Sequence, residues 1–176
     1  MSAALSACGQ ASERATDQSN VKADDTFVQA FMGHCVHTFP DTAKIEAAAK
    51  ATRMKPITDP ATLRMIGPAS GNADWKAWGF KADKKGFMLA TGQNISDGER
   101  VRFCVLISEP ADLEATRSRL VELLKAERQD ESEEGGQRYE IYKFEFDGRP
   151  MLLNFIDGTP MGMKMLNAST MIAPGI

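Results

Sequence analysis

The chain is short of the residues that most often carry chemistry. Among 176 residues there are two histidines and three cysteines. Both histidines, His34 and His37, flank Cys35 on one short segment. A serine or cysteine hydrolase needs a base beside its nucleophile, and these imidazoles are available only there. There is no Gly-x-Ser-x-Gly elbow, no glycine-rich phosphate loop and no Cys-x-x-Cys pair. No run approaches the ~18 apolar residues of a membrane-crossing helix. Basic charge is not in excess, with 21 Lys and Arg against 24 Asp and Glu and a net charge of −3. A nucleic-acid binder needs a clustered basic face, and that class is set aside. The only local basic group, Lys81, Lys84 and Lys85, reads as a solvated hairpin tip.

What is there begins at the amino terminus. Leu5-Ser6-Ala7-Cys8 is a small-residue stretch closing on a cysteine. It resembles the lipobox of bacterial lipoproteins, in which cleavage precedes the cysteine and lipid is attached to its sulfur. The resemblance implies lipidation at Cys8, attachment to a membrane by lipid alone, and a periplasmic or envelope location in a Gram-negative bacterium. Met1 to Ala7 hold no basic residue and leave no room for an apolar h-region. A translation start upstream of Met1 would supply both; a chance match is the alternative. Residues 9–22 are small or polar apart from one valine, a composition that does not order itself and suits a tether. We therefore divide the chain into a tether, 1–23, and one globular domain, 24–176.

Hydrophobic residues make up 43% and charged residues 26%, ordinary for a soluble domain with a real core. With Cys8 assigned to lipid, Cys35 and Cys104 remain. An even remainder in an oxidising compartment predicts a disulfide. It would close a loop of ~70 residues and contribute roughly 4 kcal/mol by restricting the unfolded chain. Two buried free thiols are the alternative.

Periodicity predicts an α+β fold. Phe27, Phe31 and Cys35 form an apolar stripe at helical spacing, behind an Asp24 or Asp25 cap and stopped by Pro40. Asp41 caps a second helix carrying Ile45 and Ala49, and Asp59-Pro60 opens a short third. Strands are predicted at 75–81, 86–93 and 101–108, the first two joined by the turn 82–85. Pro110 opens a helix to about Arg128, with Leu113, Leu120, Leu123 and Leu124 on its core side. The acidic run Glu127 to Glu134 reads as a solvated helix end and loop. Strands follow at 137–146, 151–156 and 162–172, with Asp147-Gly148 a tight turn. The expectation is helices packed on a mostly antiparallel sheet of about five to six strands.

Three constellations are candidate sites. His34, Cys35 and His37 offer imidazole and thiolate, which suit zinc or copper. A disulfide at Cys35 removes that ligand and leaves no tetrahedral set. Met161, Met163 and Met165 would share one face of a strand, and soft thioethers select Cu(I). That spacing resembles methionine motifs of periplasmic copper-handling proteins; core methionines filling gaps are the alternative. Trp75 and Trp78 would point to opposite faces, leaving one as a contact point for a partner.

Phe31 to Asp41 (FMGHCVHTFPD), with Trp78 and Cys104, resembles small exported proteobacterial proteins without an assigned activity. That resemblance implies export and the Cys35–Cys104 pairing and transfers no site residue. The reading reached is a non-enzymatic envelope lipoprotein, a binding or accessory domain without a cofactor. The alternatives are a copper-handling protein built on the methionines, or an enzyme whose carboxylates assemble only on folding.

Overall fold

The computed structural model describes residues 22–67, 73–96, 98–159, 162 and 164–172. The lipobox, with Cys8, lies outside them, as do Met161 and Met163. The elements are α1 (Asp25–Phe31), a π-helical turn (Met32–His37), α2 (Thr42–Ala51), β1 (Lys55–Pro56), α3 (Pro60–Ile66), β2 (Asp74–Ala82), β3 (Lys85–Ser96), β4 (Glu99–Ser108), α4 (Leu113–Leu124), β5 (Glu127–Glu134), β6 (Gln137–Phe146), β7 (Arg149–Asp157) and β8 (Leu166–Ile172).

The α+β class holds, but five to six strands is too few. Eight strands form one sheet in the order β1-β2-β3-β4-β8-β7-β6-β5, antiparallel throughout. The two additions are the edges. β1 is two residues long. β5 is the acidic run, every residue of it exposed. It has no apolar alternation to betray it; it forms because Gly135 and Gly136, at φ 59° and 76°, turn the chain back onto β6. A charged edge strand also discourages pairing with other chains. α4 accordingly stops at Leu124, where Lys125 takes a left-handed cap, and Leu123 is 41% exposed rather than core-facing.

Local chemistry explains the remaining junctions. Asp24, Asp41, Asp59 and Asp112 each cap a helix by accepting a backbone N–H three residues on. Asp83 and Lys84, at φ 48° and 68°, form the two-residue turn between β2 and β3. The expected single helix up to Pro40 is α1 followed by a π turn. The Thr38 N–H reaches back five residues to the Gly33 carbonyl at 3.2 Å, and its hydroxyl donates to the same oxygen at 2.6 Å.

The sheet has two unequal faces. α1, the π turn, α2 and α4 share one core with Trp78, Phe87, Leu89, Leu106, Leu153 and Phe155. Cys35 and Cys104 are bonded across this core, pinning the π turn to a central strand. The Thr170 hydroxyl, on β8, donates to the Cys35 carbonyl at 2.7 Å. On the other face α3 covers β2, β3 and part of β4, where Ile66 packs with Ala77, Ala90 and Ile107.

Candidate functional site

The second face beyond α3 is where the sheet presents residues that neither helical layer explains. Strand register fixes its composition. Phe103 of β4 stands opposite Met171 of β8, which stands opposite Leu152 of β7. The next row is Val105, Ser169, Asn154 and, on β6, Ile141. The third is Ile107, Asn167, Ile156 and Tyr139. Alternate residues of a strand share a face, so these rows form one continuous patch. Phe103, Ile107 and Ser169 are buried, and the others are half-buried.

A groove of about 490 Å³ runs over β4, β8 and β7 beside the end of α3. Met65, Ile66, Val101, Phe103, Val105, Leu152, Ile156 and Met171 supply its apolar walls, and Asn94, Asn167 and Ser169 its polar lining. Among the described residues no lining residue is ionisable. Asn154 stands opposite Ser169 and diagonal to Asn167, a spacing of about 7–8 Å between neighbouring strands. Among the described residues, the Oδ1 atoms of Asn154 and Asn167 are buried and accept no hydrogen bond. A buried acceptor without a donor costs about 1–3 kcal/mol. Native folds carry few of them; both oxygens are covered by protein, and of the two residues only Asn167 lines the groove.

Two other recesses are less suited. One of about 310 Å³, between α2 and the start of β2, is rimmed by Glu46, Asp74, Lys76 and Arg102. A larger one of about 770 Å³ lies between α2 and α3. Both use Lys76 and Glu46, already paired to each other at 2.7 Å.

The buried carboxylate Glu140 is saturated. Its Oε1 accepts from Arg117 at 2.9 Å, Arg138 at 2.6 Å and Arg128 at 3.3 Å, and its Oε2 from the Tyr142 hydroxyl at 2.9 Å. Burial, then the Glu140 hydrogen bond, raises the Tyr142 pKa. With its lone pairs occupied, this carboxylate serves to join α4, β5 and β6.

The histidines do not converge. His34 packs edge-to-face with Phe80 on β2, ring centroids 6.0 Å apart, and His37 likewise with Phe146 on β6 at 5.0 Å. Burial lowers the His34 pKa. Cys35 has no thiolate to offer. Among the described residues no group of three or more His, Cys, Asp or Glu is placed to hold a metal. Met165 precedes β8, which begins at Leu166 rather than Gly162, and packs against the Ile66–Ile107 cluster. Trp78 is buried beneath the helices. Trp75 lies on the other face, half-buried, with its ring over Gly67, where a Cβ would come within 2.1 Å.

Sequence reasoning passed over Asn154, Asn167 and Ser169. A signal existed: asparagine is depleted in strands, yet one interrupts the apolar run Met151–Ile156 and another lies in the strand Leu166–Ile172. No family model, curated protein or solved structure matches this chain.

Proposed function

We propose that this chain is an exported lipoprotein whose folded domain binds a small apolar molecule on the open face of its sheet. The observation that carries the reading is the groove over β4, β8 and β7, with apolar walls and the few polar side chains Asn94, Asn167 and Ser169. A concave, mainly apolar site of 300–1,000 Å³ with a few placed polar groups is the usual form of a small-molecule site. The Cys35–Cys104 disulfide agrees with an oxidising compartment. Among the described residues no helix is long and apolar enough to cross a membrane, so Cys8 lipidation is the attachment we assign. The protein would then present its groove close to a membrane from which apolar molecules partition.

Two measurements test this. Mass spectrometry of natively expressed protein is expected to find lipid on Cys8 at a newly exposed amino terminus; an unmodified Cys8 contradicts the export reading. Titration with the uncharged fluorophore N-phenyl-1-naphthylamine is expected to show saturable binding. Val101→Arg, at the groove wall, should abolish it with the circular dichroism spectrum unchanged. Equal binding by wild type and variant would place the ligand elsewhere.

A further inference from the structure

We infer that the open edge of β2 receives an extended peptide, paired as one more antiparallel strand beside Asp74 to Lys76, with an apolar side chain opposite Trp75 and a cationic one opposite Asp74. This is a second site, independent of the groove. It follows from where β1 stops and from the cleft that begins there.

β1 covers only part of β2. Lys55 and Pro56 pair with Gly79 and Trp78, and the Ile57 N–H donates to the Ala77 carbonyl at 2.9 Å. The chain then leaves the edge, because Asp59 caps α3 and Pro60 occupies its first turn. Alternate residues of an antiparallel strand direct their N–H and C=O to the same side, so those of Trp75 point the way Ala77's do. Among the described residues no strand stands beside Asp74, Trp75 and Lys76 on that side. This stretch keeps the hydrogen-bonding pattern of a ladder, with no strand to complete it.

The recess of about 770 Å³ runs along this edge. Glu46 and Lys50 of α2 wall one side of it, and Ile57 and Leu63 the side of α3. Side chains alternate across a strand, so an added strand sends successive side chains to different walls. β1 sets the precedent: Ile57 stands on the α3 side, against the cluster that also takes Leu63 and Trp75. The next position on that side is opposite Trp75, and another apolar side chain continues the packing. The position opposite Asp74 faces the α2 wall. There Lys76 is paired with Glu46 at 2.7 Å, while Asp74 is exposed and has no ion-pair partner among the described residues. A Lys or Arg complements it. Main-chain bonds supply the affinity and the two walls the selection, as in other sheets that bind peptides by strand addition.

The test is amide chemical-shift titration of the full chain with the peptide acetyl-TVKT-amide, its valine placed opposite Trp75. A saturable downfield shift of the Trp75 N–H is expected. Methylating the valine nitrogen removes the donor to the Trp75 carbonyl and should weaken binding by about tenfold or more. Methylating the lysine nitrogen, which points away from β2, should change it by about twofold or less. Wild type should bind acetyl-TVKT-amide about fivefold tighter than acetyl-TVET-amide, and Asp74→Lys, a surface change, should reverse that preference. No saturable shift at Trp75 overturns the inference. Equal losses from the two methylations overturn it too, as does a charge preference that Asp74→Lys leaves unchanged. A Trp75 shift that follows protein concentration without peptide gives the edge to a second copy of the chain and likewise overturns it.

Discussion

At the scale of single residues, Asp24 does the most for the fold. Its side chain, 3% exposed, ion-pairs with Lys85. It also accepts from the Phe27 and Ala111 amides at 3.2 and 3.3 Å. Its own N–H donates to Thr116 at 2.9 Å. One residue thus joins the starts of α1 and α4 to the β2–β3 hairpin. Burial alone would raise its pKa; Lys85 and the two amides outweigh burial and lower it. A carboxylate lowered on folding contributes stability fully above its unfolded value, near 4, and loses it as pH falls through the folded value. Urea denaturation at several pH values should show this acid-side loss. Asp24→Asn should flatten it and cost about 2 kcal/mol at pH 7. Glu140 gives a second case. Arg117→Met should cost about 3 kcal/mol, since it removes one partner of a buried ion pair. Tyr142→Phe should cost about 1 kcal/mol. Both are read from denaturation midpoints at constant slope.

At the scale of elements, the disulfide and the strand contacts set the expectations. Replacing Cys35 and Cys104 with alanine frees a separation of 69 residues and should cost about 4 kcal/mol. Gly92 lies beneath β2, where a Cβ would stand 2.3 Å from the Asp74 carbonyl oxygen and 2.5 Å from the Trp75 Cα. Those are backbone atoms, so Gly92→Ala should lower stability by about 2–3 kcal/mol, measured by thermal unfolding. Elements with strong local chemistry were legible in the sequence: the aspartate caps of α1, α2 and α3, the Asp147-Gly148 turn, and the alternation of Val101 to Ile107 on the central strand; the Asp112 cap of α4 was not, because Pro110 reads as the start of that helix. β5 was not, because an edge strand whose residues are all solvated has no hydrophobic period to read. The π turn was not, because its bond from Thr38 to Gly33 leaves the apolar stripe of α1 nearly unchanged. The candidate groove was illegible as a whole. It is made by register, and register brings Asn154 beside Ser169 only after β8 inserts between β4 and β7.

At the scale of the molecule, one sheet is asymmetrically clothed. Four helical segments close one face, and among the described residues α3 alone stands on the other. That asymmetry leaves half-buried apolar side chains around a few polar ones, and it is the basis of the binding reading. A lipid on Cys8 would hold the domain near a membrane and leave the groove to do the binding. The most direct measurement is amide chemical-shift mapping of the full chain titrated with N-phenyl-1-naphthylamine. The account predicts saturable shifts concentrated on Val101 to Val105, Leu152 to Ile156 and Asn167 to Met171, including the Asn167 side-chain amide. Shifts confined to the helical face around Trp78 and α2, or none at saturation, would contradict it.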